Sequence, residues 1–435
     1  MSAQAVCEIE RRPSISETSS PPFGAEMDDV GGWSAHGGNA ASLQLLEDID
    51  TGNDPFVLLD DARSSGSSWL YRKPLDVVSA CSVDEVLPAL ETVRAWSGRG
   101  YHAAGYLAYE AGFAFEPRLR SLAGPQAPDD PLLWFGIFEA PVRVALGNTA
   151  TTLDPFAVLG RPAPDIDRVA YDAAVHRALA LIETGDIYQV NLTFPTSVEL
   201  TGNPIDHFRP LRKAQRAGWG SVIGTGSRVI LCCSPELFFA LKGREVVAKP
   251  MKGTAARTGS MEGDARAIAS LRNSPKERAE NLMIVDLLRN DLGRLARPGS
   301  VHVPRLFDIE AYPTLFQQTS TVTAILRDGL DAIDVLSATF PCGSVTGAPK
   351  IRAMEIIAGL EHAPRGIYTG SIGQIAPDGS AEFNVAIRTI DWSLGASHAR
   401  LGVGSAIVTD SDAASEWREC HAKLAYVNAA HRLSG

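Results

Sequence analysis

Apolar and polar positions divide the chain into helical and strand-like stretches that follow a polar N-terminal segment. Apolar residues that recur three and four positions apart predict helices, and short β-branched or aromatic runs bounded by Gly and Pro predict strands. Residues 1–36 are rich in Ser, Pro, Gly and Glu, a composition typical of a mobile tail. The predicted helices cover 83–96, 168–184, 204–217, a stretch that opens at 275, a stretch that follows 349, and 413–433. The predicted strands lie within 54–79, 101–115, 132–146 (a strand pair), 187–195, 221–233, 237–241, 245–248, 368–375 and 383–390, with another starting at 402.

Two helix starts carry capping signals. Ser82 and Glu85 match a capping box, although Pro88 lies past the first turn, where proline kinks or breaks a helix. Ser274 and Glu277 match a second capping box, with Pro275 at the first position of the helix. Because that helix is apolar nearly all round over 282–288, we expect it to be mostly buried.

Helices and antiparallel hairpins are intermixed along the chain after the tail. This mixture favours an α+β fold over a doubly wound parallel sheet. The clearest hairpin lies within 233–254, where two strands flank the turn Lys242-Gly243-Arg244.

That hairpin carries two groups suited to chemistry. Glu236 precedes its first strand and Lys252 follows its second, so the hairpin can bring them together at one end of a sheet. A carboxyl group that donates a proton and an amine that attacks are a suitable pair for nucleophilic catalysis. A surface hairpin with ordinary charges accounts for the same residues, and these residues alone leave both interpretations open.

Two predicted helices carry acids three positions apart, Glu277 with Glu280 and Glu416 with Glu419. Acids at this spacing repel each other on a helix. Two such pairs are natural ligands for a hard divalent cation between the helices, and Mg²⁺ takes one or two carboxylates and keeps water for the rest. Helix capping and solvated acids remain the alternative.

Two further stretches suit anion binding. The Gly-rich loop 340–350 feeds a helix and exposes backbone N–H groups, although it lacks the ending of a Walker loop and a plain capped turn has the same sequence. Arg388 interrupts an apolar alternation, where an unpaired charge is costly. Either a structural ion pair or a substrate carboxylate can satisfy it. The glycines at 402 and 404 permit close approach of a ligand to the backbone.

Composition limits the partners. The 435 residues are 45% hydrophobic and carry a formal charge of −11, which argues against nucleic acid and anionic membranes. An anionic substrate must therefore be held by local Arg, Lys or metal. Six cysteines without a CxxC pair indicate reduced thiols in a cytoplasmic protein. No apolar run approaches the ~18 residues of a membrane span, and no secretion signal is apparent.

Together these stretches resemble the chorismate-utilising enzymes, which include anthranilate, aminodeoxychorismate, isochorismate and salicylate synthases. From about residue 171 onward, the matching motifs stand in family order: SPELFF, KPMKGTAAR, ERAENLMIVDLLRNDLGR, FPCGSVTGAPKIRAMEII, RGIYTGSIG, FNVAIRTI, GVGSAIV and SEWRECHAK. GYLAYEAGFAF extends the resemblance toward the N-terminus. It implies one large α+β domain of two packed antiparallel sheets flanked by helices. We expect a tail at 1–36, an N-terminal part of this sandwich at 37–165 and a chorismate-binding catalytic region at 166–435.

Within that family, position 252 distinguishes activities. The motif around this position looks like PIAGT in anthranilate synthases and like PIKGT in aminodeoxychorismate synthases, whereas this chain has PMKGT. The resemblance therefore implies that Lys252 attacks C2 of chorismate, Glu236 assists loss of the C4 hydroxyl and ammonia then gives 4-amino-4-deoxychorismate, the precursor of p-aminobenzoate and folate. Gln317 stands where anthranilate and salicylate synthases have a catalytic histidine, which makes elimination of pyruvate doubtful. An anthranilate, isochorismate or salicylate synthase is the nearest alternative, and a non-catalytic chorismate-binding protein is less favoured.

The resemblance also implies a binding site. Glu280 and Glu419 match direct Mg²⁺ ligands, and Glu277 and Glu416 match acids that act through water. The positions matched to the substrate are Gly253, Thr254, Gln317, Ser344, Tyr368, Arg388, Gly402, Gly404 and Lys423. A glutaminase subunit that supplies ammonia and a downstream aminodeoxychorismate lyase are expected as separate proteins, because neither domain is apparent in the sequence.

Overall fold

Two large β-sheets and nine helices form the described part of the protein. The computed structural model describes residue 33 and residues 40–41, 54–63, 66–124, 127, 129–144, 146, 157–313 and 315–434. The helices are α1 Val83–Gly98, α2 Arg168–Glu183, α3 Pro204–Gln215, α4 Met261–Asn273, α5 Pro275–Gly293, α6 Ala332–Thr339, α7 Lys350–Leu360, α8 Ala413–Lys423 and α9 Ala425–Ser434. Short 3₁₀ helices span Tyr109–Phe115, Arg120–Leu122 and Gly343–Val345.

The first sheet has twelve strands and the second has ten. The strands of the first sheet are β1 Ala40–Ala41, β2 Phe56–Asp60, β3 Ser68–Arg72, β7 Val142–Val144, β8 Val158–Leu159, β9 Ala163–Pro164, β10 Gln189–Thr201, β11 Trp219–Gly224, β12 Arg228–Ser234, β18 Gly347–Ala348, β21 Thr389–Ser393 and β22 His398–Ile407. Those of the second are β4 Asp76–Ala80, β5 His102–Leu107, β6 Leu133–Phe138, β13 Leu237–Lys242, β14 Glu245–Lys249, β15 Met251–Ala256, β16 His302–Ala311, β17 Leu315–Ile325, β19 Ser371–Ile375 and β20 Ala381–Asn384.

Neighbouring strands run antiparallel throughout the described sheets, except for the parallel pair β1 and β7. The first sheet follows the order β1-β7-β3-β2-β11-β12-β21-β22-β10-β18, with β8 and β9 also beside β10. The second follows β15-β17-β14-β13-β20-β19-β5-β6-β4, with β16 beside β17. The predicted α+β fold with two packed antiparallel sheets is confirmed.

Each sheet buries one face under its own helices. Apolar residues of α2, α3, α7 and α9 pack against the first sheet, and those of α1, α5 and α6 pack against the second. The two sheets contact each other on their other faces, where Tyr71 donates to Gln374 and the side-chain amide of Asn384 donates to the carbonyl oxygen of Trp219 at 2.9 Å. Burial of the apolar helix faces, rather than helix propensity, supplies most of the stability of such elements.

Two of the segments in which the chain crosses from one sheet to the other lie next to each other. Residues 235–236 lead from β12 in the first sheet to β13 in the second, and residues 385–388 lead from β20 back to β21. The two crossings are hydrogen-bonded side by side, because the amide of Val385 donates to the carbonyl oxygen of Glu236 at 3.0 Å and that of Cys233 donates to the carbonyl oxygen of Arg388 at 3.1 Å. Two predicted site residues, Glu236 and Arg388, therefore lie in neighbouring segments between the sheets.

Several predicted elements are confirmed with small changes of boundary. Helix α1 continues through Pro88, and the carboxylate of Glu85 accepts from the amide of Ser82 at 3.1 Å, as the capping box requires. The side chain of Ser274 accepts from the amide of Glu277 at 3.3 Å at the start of α5. The hairpin of β13 and β14 forms as predicted.

Other predictions about elements are wrong. The stretch 221–233 is not one strand but parts of β11 and β12, because Gly226 has φ 97° and turns the chain. The predicted strand pair within 132–146 does not pair, since β6 and β7 belong to different sheets. Helix α5 is amphipathic rather than mostly buried, and Leu282 is 42% exposed on its outer face.

Three corrections bear on the site. The predicted helix 413–433 is two helices, α8 and α9, and Arg388 donates to the carbonyl oxygen of Lys423 at the break. The predicted strand 383–390 ends at Asn384 and gives way to the second crossing. Tyr368 precedes its strand, which begins at Ser371, and the strand containing Gly402 begins earlier, at His398.

The predicted tail, residues 1–36, lies outside the described residues apart from Trp33. Strands from both sides of position 165 take part in each sheet, and the proposed division into an N-terminal part and a catalytic region stays a prediction. Among the helices that the structure describes, none has both the length and the apolar character to cross a membrane.

Candidate active site

A cleft opens beside the two crossings and encloses about 980 Å³, counting its open mouth. Strands β10 and β22 of the first sheet form one wall, and β15 and β17 of the second form the opposite one. Helices α5 and α8 bring acidic side chains to it, and the 3₁₀ helix Gly343–Val345 closes another side. A concave site with convergent polar groups suits a small organic ligand.

Every site residue predicted from the sequence lines this one cleft. The fifteen are Glu236, Lys252, Gly253, Thr254, Glu277, Glu280, Gln317, Ser344, Tyr368, Arg388, Gly402, Gly404, Glu416, Glu419 and Lys423. Their proximity is observed, whereas their individual roles stay predictions. Residues that lie up to 187 positions apart in the chain (236 to 423) thus share one surface.

Glu236 lies in the first crossing and is 3% exposed. Its Oε1 accepts a hydrogen bond from the hydroxyl of Ser344 at 2.7 Å. Burial raises the pKa of this carboxyl to about 7, against the lowering effects of the Ser344 hydrogen bond and the charge of Lys252. An acid with a pKa near neutrality can both hold and release a proton under physiological conditions, as general acid catalysis needs.

Lys252 lies on β15 and faces the same cleft. Burial lowers the pKa of its amine, and the nearby Lys423 lowers it further, while Glu280 and Glu236 act in the opposite direction. A lowered pKa increases the fraction of neutral amine, which is the nucleophilic form. Glu236 and Lys252 therefore influence each other's ionisation across one cavity.

Close packing joins β15 to α5 next to Lys252. Gly253 has φ 89°, a conformation that favours glycine, and a Cβ atom there would lie 2.8 Å from Oε2 of Glu277. On the opposite wall a Cβ atom at Gly402 would lie 2.0 Å from the ring of Tyr368. Because neither glycine has a side chain, Glu277 can approach the backbone at Gly253 and Tyr368 can approach the backbone at Gly402.

The acids of α5 and α8 face each other across the mouth. Lys276 on α5 donates to Oε1 of Glu416 at 3.4 Å and lies 3.9 Å from Oε1 of Glu280. Burial raises the pKa of Glu280 to about 7, opposed by Lys252 and assisted by Glu277. The carboxylate of Glu419 pairs with Lys423 at 2.7 Å. Lys276 thus links an acid of α5 to an acid of α8, and Glu416 also accepts from the hydroxyl of Ser411 at 2.8 Å.

These carboxylates have the oxygen donors that Mg²⁺ prefers, and Mg²⁺ needs only one or two of them because it retains water. Within the described ranges, no three His, Cys, Asp or Glu side chains lie close enough together to form a metal-binding group. The acids of α5 and α8 thus fit an ion that takes one or two carboxylates and completes its shell with water or ligand oxygens.

Arg388 lies in the second crossing with φ 56°, a left-handed conformation that is uncommon for a residue with a side chain. Its Nη1 donates to the carbonyl oxygen of Lys423, and its guanidinium lies 5.7 Å from the ring centroid of Tyr426. No carboxylate of the described residues forms an ion pair with it, and its buried Nε has no partner among them. The alternative of a structural ion pair is therefore not observed, and the free N–H suits an anionic ligand.

A model of the family described as chorismate binding enzyme matches residues 56–429, most of the chain. The chain belongs to the chorismate binding enzyme family. Its fold agrees with a solved member, since the structure of anthranilate synthase component I from Streptococcus pneumoniae superposes with a TM-score of 0.67 at 25% identity, covering 95% of this chain and 100% of that one.

Two curated relatives have different names. An aminodeoxychorismate synthase component 1 from Klebsiella aerogenes is 40% identical over 297 residues, which are 68% of this chain and 64% of that protein. An anthranilate synthase component 1 from Streptomyces coelicolor is also 40% identical, over 62% of this chain and 52% of that protein. The match spans less than two thirds of the length of both relatives, and sequence identity alone does not separate the two activities.

Some lining residues of this family member were missed by sequence reasoning. Lys276 lies in the first turn of α5 between Pro275 and Glu277, which the sequence pattern assigned to the start of the helix. Its charge therefore did not indicate a position in the cleft. Asn191 on β10 and Tyr426 on α9 also line the cleft. The hydroxyl of Tyr426 is buried without a partner in the described part of the chain. Strand and helix patterns alone do not reveal which polar residue faces a cavity.

The described lining of the cleft carries five acids and four bases, namely Glu236, Glu277, Glu280, Glu416 and Glu419 against Lys252, Lys276, Arg388 and Lys423. Like charges repel strongly in a partly buried site. Burial raises the pKa values of both Glu236 and Glu280, and the neighbouring acids Glu277 and Glu419 raise that of Glu280 further. The cleft can therefore hold an anion only next to its cationic side chains or with an added cation.

Proposed function

We propose that this chain is an aminodeoxychorismate synthase component that converts chorismate and ammonia to 4-amino-4-deoxychorismate. The observation that carries the proposal is the presence of Lys252 and Glu236 in one cleft, with the pKa of the amine lowered and that of the carboxyl raised to about 7. Each group is thereby shifted toward the form that its role needs. The names of relatives support the same activity.

The reaction proceeds in two substitutions. The neutral amine of Lys252 forms a bond to C2 of chorismate, the ring double bonds shift, and the C4–O bond breaks while Glu236 donates its proton to the departing hydroxyl, which leaves as water. Ammonia then forms a bond to C4, the double bonds shift back, and the bond between C2 and Lys252 breaks. The enolpyruvyl group is retained. Covalent catalysis replaces one difficult substitution by two easier ones.

Cationic and backbone groups hold the two substrate carboxylates in this proposal. Lys423, Gly253 and Thr254 bind the ring carboxylate, and Arg388 with the backbone at Gly402 and Gly404 binds the enolpyruvyl carboxylate. The unpartnered Nε of Arg388 supports this assignment. Tyr368, Gln317 and Ser344 complete the wall.

We assign Mg²⁺ to the acidic side of the cleft. Glu280 and Glu419 would hold it directly, and Glu277 and Glu416 would act through water. When bound, the ion supplies positive charge that offsets the ring carboxylate. The protein's own part is to hold these acids on two helices that border the cleft.

Two partners follow from the proposed chemistry. Ammonia comes from a separate glutaminase subunit, and the relatives named as component 1 support the existence of a second component. The product still carries its enolpyruvyl group, so a separate lyase must act on it to yield p-aminobenzoate. We place the reaction in the cytoplasm.

Mass spectrometry of the products tests the proposal directly. Purified protein is incubated with chorismate, ammonium and Mg²⁺, and the expected product is 4-amino-4-deoxychorismate without release of pyruvate. Anthranilate or salicylate as the sole product would refute the proposal. Omission of ammonium is the control, because an isochorismate synthase would remain active without it.

A further inference from the structure

Arg365 occupies a position behind the cleft that connects three of its walls. Its side chain is 2% exposed and makes an ion pair with Glu361, with Nε donating to Oε2 at 2.8 Å and Nη2 to Oε1 at 2.7 Å. Its backbone amide donates to Oε1 of Glu110 at 2.7 Å, and the ring of Tyr109 lies 4.4 Å from the guanidinium carbon. Both the backbone and the side chain of Arg365 are therefore held in place.

The remaining N–H groups of Arg365 donate to the cleft walls. Nη2 donates to the carbonyl oxygen of Asn191 on β10 at 2.7 Å, and Nη1 donates to that of Val345 at 2.8 Å. Nη1 also lies 3.4 Å from the hydroxyl of Thr369, the residue after Tyr368. A guanidinium has five N–H groups in a rigid fork, and all five have acceptors here.

Each of these three acceptors either belongs to a residue that lines the cleft or adjoins one. Asn191 and Val345 line the cleft themselves, and Thr369 follows Tyr368, which also lines it. Val345 follows Ser344, whose hydroxyl donates to Glu236 at 2.7 Å. A shift of the Val345 carbonyl would therefore move the hydrogen bond that orients the proposed acid.

We propose that Arg365 is a positioning residue for the reaction in this cleft, which fixes Ser344, and through it Glu236, relative to Asn191 and Tyr368. This inference rests on the proposed function. Arg365 does not line the cleft itself, so it acts on the reaction only through the residues that it holds. Catalytic groups must be held within fractions of an ångström, and misplacement by ~1 Å can cost about a hundredfold in rate.

A second buried ion pair provides a control. Arg228 donates to Asp391 through Nε at 3.0 Å and Nη2 at 2.6 Å, and the two side chains are only 10% and 9% exposed. The pair connects β12 and β21 of the first sheet, and neither residue lines the cleft. Arg228 also pairs with Asp130 at 3.1 Å, but none of its described hydrogen-bond or ion-pair partners lines the cleft, whereas two of those of Arg365 do.

The test compares conservative and charge-free variants of both pairs. Arg365→Lys keeps the charge but cannot reproduce the fork, and Glu361→Leu with Arg365→Met removes both charges, so that no buried carboxylate is left unpaired. Arg228→Lys and Asp391→Leu with Arg228→Met are the controls. For each protein, kcat and KM with chorismate and ammonium are measured alongside the melting temperature and the folded fraction.

We expect kcat per folded molecule to fall about 10- to 100-fold in the Arg365 variants and to stay within about twofold in the Arg228 variants, even where the melting temperatures fall equally. A double-mutant cycle adds a readout that general destabilisation does not move. If Arg365 acts through Ser344, then Ser344→Ala lowers kcat less in the Arg365→Lys background than in the wild type.

Equal losses of kcat in both sets of variants, or fully additive effects in the cycle, would overturn the proposal. Failure of both Arg365 variants to fold while both controls fold would also overturn it, because the residue would then serve folding rather than positioning. If the wild-type protein makes no 4-amino-4-deoxychorismate, the proposed function fails instead. Chorismate affinity is also measured for each variant by tryptophan fluorescence. A folded variant that has lost only positioning still binds chorismate, whereas an unfolded variant does not.

Discussion

Ser344 donates a hydrogen bond of 2.7 Å to Oε1 of Glu236, although the two residues lie 108 positions apart in the chain. The bond favours Oε2 as the oxygen that carries the acidic proton. It also stabilises the ionised carboxylate and thereby lowers the pKa that burial raises to about 7. One hydroxyl group thus acts on both the orientation and the ionisation of the proposed acid, whose pKa burial affects most.

The pH dependence of the reaction follows from this relationship. Glu236 must be protonated to donate, so kcat/KM should fall about tenfold per pH unit above its pKa of about 7. In Ser344→Ala, loss of a pKa-lowering hydrogen bond should move this alkaline limb to higher pH. Ser337→Ala is the control, because that hydroxyl donates to the Ile333 carbonyl within α6. An identical limb in Glu236→Gln would show that another group titrates.

Removal of the proposed nucleophile should abolish turnover without abolishing binding. We expect Lys252→Ala to lower kcat by about 10³-fold or more, the scale on which loss of a nucleophile acts, and to change chorismate affinity little. Stopped product assays and equilibrium fluorescence titration measure the two quantities. Lys249→Ala is the matched control, because that lysine lies on the preceding strand and pairs with Glu310 outside the cleft. Undiminished turnover in Lys252→Ala would rule out the covalent role.

Arg388 offers a test of the enolpyruvyl subsite. Arg388→Lys keeps a positive charge but loses the planar fork that binds a carboxylate through two hydrogen bonds. One lost charge-assisted hydrogen bond is worth ~1.5–3 kcal/mol, so KM for chorismate should rise about 10- to 100-fold. Steady-state kinetics at saturating ammonium measure this change. A KM within error of the wild type would remove Arg388 from the site.

Cation binding is measurable without turnover. We expect Glu280→Gln or Glu419→Gln to weaken Mg²⁺ binding about tenfold or more, since each substitution replaces a charged oxygen donor by a neutral one. Isothermal titration of the protein with Mg²⁺ in the presence of chorismate gives the affinity. Glu262→Gln, at an exposed position on α4, should leave it unchanged. An unaltered titration in both test variants contradicts the proposed ligands.

Local sequence patterns predicted the elements that carry the site, but not the route of the chain between them. The hairpin of β13 and β14 was predictable because its turn and its strand residues are contiguous. The crossing that contains Arg388 was not predictable, because its apolar residues continue the alternation of β20 while the backbone turns to φ 56° and changes sheet. Sequence propensity predicts the common backbone conformation of a residue, whereas Arg388 adopts an uncommon one.

The network of Arg365 shows a second limit. Its acceptors lie 20 and 174 positions away, so no local pattern connects them. By contrast, the family motifs named fifteen residues that the fold brings to one cleft, because a family resemblance relates distant segments that local patterns do not. The break between α8 and α9 was missed for the same reason as Arg365, since the side chain that donates to the Lys423 carbonyl comes from a distant segment.

The surplus of acids over bases in the cleft has a thermodynamic consequence. A dianion that enters alone adds to the negative charge of the acids, and a divalent cation that enters alone adds to the positive charge of Arg388 and the three lysines. Each ligand lowers the electrostatic cost of admitting the other, and linkage requires the two enhancements to be equal. The apparent affinity for the organic substrate should therefore rise and fall with the free magnesium in the surrounding solution.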